Sequence, residues 1–103
     1  MTARFRVRRE ALPTCTQAIA EFIDYVQNNE PGTRLYTSLQ EMEDDTAFLH
    51  YFIFEDEEAS QAHRASAGVK RFTDSLYPTL IGEVEFKTYR LLATTPPPWE
   101  ARL

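Results

Sequence analysis

Residues 47–54 read Ala-Phe-Leu-His-Tyr-Phe-Ile-Phe, an apolar and aromatic run whose interpretation decides the fold. Successive side chains of a strand point to opposite faces, so Ala47, Leu49, Tyr51 and Ile53 share one side. Phe48, His50, Phe52 and Phe54 share the other. A strand with water on one face alternates apolar with polar, and this one does not. Both of its faces therefore need cover.

The flanking sequence supplies elements for one face only. Phe5 and Val7 mark a first strand, with Arg4, Arg6 and Arg8 between them as its wet side. Thr14 and Gln17 have the spacing of a capping box, and Cys15, Ala18, Ile19, Phe22 and Val26 follow at helical period. Pro31 and Gly32 end that helix. Arg34 to Glu41 reads as a second strand, and Glu43-Asp44-Asp45 as the turn into the third. Asp56 is placed to cap a helix whose first turn carries Glu57 and Glu58, where the helix dipole favours negative charge. Gly68 is expected to break that helix, and Val69, Phe72 and Leu76 continue the apolar stripe until Pro78. Val84 to Leu92 reads as the last strand.

The order strand, helix, strand, strand, helix, strand is the split β-α-β arrangement of ferredoxin-like α+β folds, with both helices on one face of an antiparallel sheet. No helix remains for the opposite face. Pairing two such sheets back to back makes a symmetric homodimer and covers it. Residues 1–93 form one domain on this reading. Residues 94–103, with Pro96, Pro97 and Pro98, form a stiff extended tail in which Trp99 has no assigned role.

At 103 residues and 43 % hydrophobic, the chain has material for one modest core. A formal net charge of −5 argues against nucleic acid or an anionic membrane surface as partner. The single cysteine, Cys15, cannot form an internal disulfide. No apolar run approaches the length of a membrane span and no leader is visible, so a cytoplasmic protein is expected. With His50 and His63 as the only histidines, neither in a metal-ligand spacing, no metal site is expected.

Glu30-Pro-Gly-Thr33 with Tyr36, then Phe54-Glu-Asp-Glu-Glu-Ala59 with His63 and Ser66, then Val84-Glu-Phe86 with Tyr89, resemble the antibiotic biosynthesis monooxygenase family. The likeness runs from about Phe5 to Ala93. It implies a dimeric α+β barrel, with a pocket between helices and sheet in each subunit. It also implies cofactor-independent oxygenation by O2 of a small electron-rich aromatic, such as a quinol or an anthrone. The haem-degrading branch is not matched, since the first strand carries Arg and Val and the helix carries His63 where that branch has Trp.

His63 is the candidate catalytic residue. Ala59, Ala62, Ser66 and Val69 place it at the edge of the sheet-facing side of its helix, where imidazole could take a phenolic proton. A purely structural hydrogen bond is the alternative. Tyr36, Tyr51 and His50 are the candidate substrate-binding residues, with His50 alternatively satisfied at the subunit interface. Phe52, where many relatives carry an acid, favours a second functional reading: a non-catalytic dimeric module that binds a small molecule.

Overall fold

The computed structural model describes residues 1–95; the prolines of the expected tail and Trp99 lie outside the described residues. Strand β1 (Thr2–Val7) leads through a single 3-10 turn into helix α1 (Leu12–Asn29), followed by β2 (Thr33–Gln40) and β3 (Ala47–Phe54). Helices α2 (Glu57–Arg64) and α3 (Ala67–Leu76) then precede β4 (Leu80–Lys87). The four strands form one antiparallel sheet in the order β2-β3-β1-β4, the ferredoxin-like topology expected from the element order. The boundary expected at residue 93 falls in a segment, 88–95, without regular structure.

β3 pairs on both sides, with β1 and β2, and its two faces meet different fates. The even-numbered face lies under the helices: Phe48, His50 and Phe52 are buried, and Phe5 stacks on Phe48 with ring centroids 5.4 Å apart. Phe22 and Val26 of α1, with Phe72 and Leu76 of α3, close the core above it. Among the described residues no helix covers the odd-numbered face. There Tyr51 is 36 % exposed, and on the same face Leu39 of β2 and Ile81 of β4 are each 50 % exposed. Arg4 and Arg6 also lie there, each paired with an acid at the sheet's end, Glu41 and Asp44 respectively.

Three local expectations are corrected. The Thr14–Gln17 capping box does not form, because α1 starts at Leu12, with Ala11 rather than Thr14 at its N-cap and Pro13 in its first turn. Proline needs no hydrogen-bond acceptor there and its fixed φ suits the position. Gln17 instead pairs with Glu21 one turn on. Gly68 does not break the second helical region; the break is at Ala65-Ser66, and the Ser66 hydroxyl caps α3 by accepting from Val69 N–H. Gly68 is needed for close approach, since a Cβ there would stand 2.1 Å from Cδ1 of Tyr25 on α1. Finally, the last strand runs from Leu80 to Lys87, not from Val84 to Leu92. Its ladder partner sets those limits: Leu80 opposes Val7 and Lys87 opposes Thr2, so β1 offers nothing further to pair with.

Candidate functional site

Between the sheet and helices α2 and α3 lies a cavity of about 400 Å³, within the size range of small-molecule sites. Its walls are largely aromatic. Phe5, Tyr36, His50, Phe52, Phe54 and Phe86 come from the sheet, Phe22 from α1, His63 from α2 and Phe72 from α3. Tyr36 and Phe52, directly opposed across the β2–β3 ladder, stack at 4.9 Å. Phe22 and Phe72 stack at 4.6 Å across the helix pair.

His63 of this wall is held from behind by a residue of a distant segment. Glu30 sits at the C-terminal end of α1, where the chain turns through Pro31 and Gly32 into β2. Gly32 packs against α2 so closely that a Cβ would lie 2.6 Å from Cβ of Ala59. That contact sets Glu30 beside His63, one turn further along α2. His63 Nδ1 lies 2.6 Å from Glu30 Oε1, and both side chains are more than nine-tenths buried. The Thr33 hydroxyl donates to the same oxygen at 2.8 Å. A carboxylate only accepts, so His63 donates from Nδ1. In the neutral ring Nε2 then carries the lone pair, and it has no hydrogen-bond partner among the described residues. The arrangement is an imidazole oriented by a buried carboxylate, the geometry of a general base.

A second polar pair lies deeper. Tyr36 Oη is 2.8 Å from His50 Nδ1. Burial, and secondarily the charge of Glu30, hold the Tyr36 phenol well above its usual range, so it stays protonated. Burial lowers His50 to about 4, so its ring is neutral at physiological pH.

Of the residues singled out from sequence, His63, Tyr36 and His50 come together around this cavity. Tyr51 does not: β3 alternation sends it to the bare face of the sheet, away from the cavity. His50, for which a place at the subunit interface was the alternative, lies on the helix-covered face and is 1 % exposed. Glu30 was not singled out as a site residue, although it opens the Glu-Pro-Gly-Thr segment that carried the family likeness. Among the described residues no cluster of His, Cys, Asp or Glu has the makings of a metal site, and no helix is long and apolar enough to cross a membrane.

A ferredoxin-like sheet with an aromatic cavity beneath its helices defines a class of small α+β proteins, and comparison narrows it. The family model for antibiotic biosynthesis monooxygenase matches residues 1–75, and the chain belongs to that family. Among solved structures it is similar to Rv0793 from Mycobacterium tuberculosis, at 18 % identity and a TM-score of 0.81, covering 90 % of this chain and 93 % of that one. It is also similar to a conserved protein from Methanosarcina mazei, at 24 % identity and 0.79, covering 86 % and 87 %. A third is a candidate antibiotic biosynthesis monooxygenase from Bacteroides thetaiotaomicron, at 20 % identity and 0.79, covering 91 % and 90 %. At these identities the structural likeness establishes the fold. No curated protein matches the chain significantly.

Proposed function

We propose that this protein is a cofactor-independent monooxygenase for a small electron-rich aromatic, a quinol or an anthrone, and that His63 is its base. The observation that carries the reading is the buried Glu30–His63 pair, 2.6 Å apart, whose imidazole lines an aromatic cavity. Membership of a monooxygenase family supports the reaction class.

The chemistry follows from the substrate's own electrons. His63 Nε2 takes a proton from an acidic C–H or O–H of the bound aromatic, and Glu30 stabilises the imidazolium that results. The anion left behind is electron-rich enough to pass one electron to O2, and the radical pair joins as a peroxide. For an anthrone, the peroxide regains a proton from His63 and loses water to leave a carbonyl. The balance is one CH2 and one O2 converted to one C=O and one H2O. The apolar walls exclude bulk water from the anion and bury its rings.

The same reading includes a homodimer in which the bare faces of two sheets meet, with Tyr51 in the interface rather than in the pocket. Leu39, Tyr51 and Ile81 on that face support it, because apolar side chains in water there would favour association. Cys15 fits a reducing, cytoplasmic setting: it is buried, and burial raises its thiol to about 11, leaving it unreactive.

Oxygen uptake with a panel of quinols and anthrones, wild type against His63→Ala, tests the assignment. Uptake abolished by the substitution supports it; equal rates remove His63 from the mechanism. A second reading, a binding module without turnover, is favoured by Phe52, whose ring stacked on Tyr36 keeps that wall apolar. Native mass spectrometry of protein from its source cell distinguishes the two if a ligand is retained while no substrate is consumed.

A further inference from the structure

The cavity wall carries fixed charge of one sign. Of the residues that line it, Arg64 has the only permanently charged side chain, and none is an aspartate or a glutamate. Glu30 stands behind His63, where its charge is engaged by that ring and by the Thr33 hydroxyl. A guanidinium stays protonated throughout the physiological range, so a ligand meets a positive charge at the edge of aromatic carbon.

Arg64 is also a cation without an anion. Arg4, Arg6, Arg8, Arg9 and Arg34 each pair with a carboxylate, and Arg71 lies over the Tyr25 ring at 5.1 Å. Arg90 has no such partner among the described residues either, but it does not line the cavity. Arg64 donates from one Nη to the Ser60 hydroxyl at 3.0 Å, and among the described residues it has no other hydrogen bond and no carboxylate. Ser60 is buried, so this bond draws the guanidinium back along α2 against the protein and leaves its other N–H donors free. Arg64 ends α2, where a cation suits the negative end of the helix dipole. That role needs no place on the cavity wall.

The helix fixes where this charge stands relative to the base. Neighbouring helical residues are about 100° apart around the axis, so His63 turns inward, 7 % exposed, while Arg64 comes to the rim and stays exposed. Rings held among the aromatic walls would leave a charged substituent at that rim, partly in water. An anion there escapes the cost of burial without a partner. A carboxylate suits a guanidinium in particular, since its two oxygens match parallel N–H donors.

We infer that Arg64 anchors a carboxylate on the cavity's ligand, which makes the ligand an aromatic acid with its rings inside the cavity beside His63. The inference deepens the oxygenase reading by naming a substituent of the substrate, and it rests on that reading only for the cavity as the ligand site.

2-Naphthoate and 2-naphthamide share a ring system and a shape and differ in charge, which makes them suitable probes. Calorimetry is expected to find the naphthoate bound about fivefold tighter or more, a preference that shrinks as salt is added. In Arg64→Gln the preference falls to within about twofold while naphthamide affinity is kept. Arg64→Lys, which keeps the charge and loses the planar fork, retains part of it. In NMR of the wild type, both probes shift the His63 ring signals, and only the naphthoate shifts the Arg64 side-chain N–H signals. Equal binding of the two probes, a preference that survives Arg64→Gln, or Arg64 signals that do not move overturns the inference. Naphthamide bound at His63 with no preference between the probes does so while leaving the pocket reading in place. Binding of neither probe overturns both. A naphthoate preference lost in Arg64→Gln, without oxygen uptake on any substrate, sinks the oxygenase reading alone and leaves the Arg64 anchor standing. Should Arg64→Gln fail to fold, the wild-type Arg64 signals decide the matter by themselves.

Discussion

Glu30→Gln isolates the charge of the buried pair with little change in shape. Glu30 Oε1 accepts from His63 Nδ1 at 2.6 Å and from the Thr33 hydroxyl at 2.8 Å, and an amide oxygen retains both acceptor positions. What disappears is the negative charge that stabilises His63 as it takes a proton. A hydrogen bond to a charged group contributes about 1.5–3 kcal/mol, so the loss corresponds to roughly 10- to 150-fold in rate. Glu30 does not line the aromatic cavity, so substrate affinity should hardly change. The expected outcome is a fall of that size in kcat with KM within about twofold, measured by oxygen electrode on whichever quinol or anthrone turns over. Wild-type kcat in Glu30→Gln, with activity abolished in His63→Ala, would refute the coupling of the two residues. A rise in KM without a change in kcat would refute it as well, since Glu30 would then act in binding.

The other predictions concern the frame that holds the site. Gly68→Ala gains about 1 kcal/mol of helix propensity but drives a methyl into the Cδ1 edge of the Tyr25 ring, which must move to admit it. A net loss of about 1–2 kcal/mol is expected, lowering Tm by roughly 4–15 °C, and an unchanged or raised Tm would show that α1 and α3 do not approach so closely. Tyr51→Glu, in the middle of the bare face, should convert a dimer to monomers in sedimentation at micromolar concentration. A wild type that is itself monomeric would remove the interface. His50 makes stability depend on pH. Its value falls from 6.5 when unfolded to about 4 when folded, so its neutral form favours folding above pH 6.5, and that stability is lost as pH drops towards 4. The loss is about 3 kcal/mol by chemical denaturation; His50→Phe should flatten this part of the profile, and an unchanged profile in that variant would assign the dependence elsewhere.

Much of the architecture was legible because β3 reads so plainly. Eight apolar and aromatic residues in a row announce a central strand, and the surrounding helix and strand periods fix the topology. The same uniformity concealed which face the helices take, since both parities are equally apolar. The ladder registers separate pocket from bare face: β1 puts Phe5 opposite Phe48, and β2 puts Tyr36 opposite Phe52 and Thr37 opposite Tyr51. Tyr36 and Tyr51 are therefore indistinguishable by composition and opposite in position. The Glu30–His63 contact spans two segments of different elements, and no spacing rule joins residues so far apart in sequence. Its trace was the Glu-Pro-Gly-Thr turn, whose glycine admits Ala59. Boundaries failed where a neighbour decides them: Pro13 overrode a plausible cap, and β4 stops where β1 runs out.

The central claim is that His63 removes a proton before oxygen takes part. Mixing the protein with an anthrone under argon, and following the enolate by its absorbance in a stopped-flow instrument, measures that step alone. The account predicts enolate formation bound to the wild type without oxygen, abolished in His63→Ala, and decay of that signal when O2 is admitted. Oxygen consumption with no enolate ever forming, or an enolate that forms equally well in His63→Ala, would contradict it.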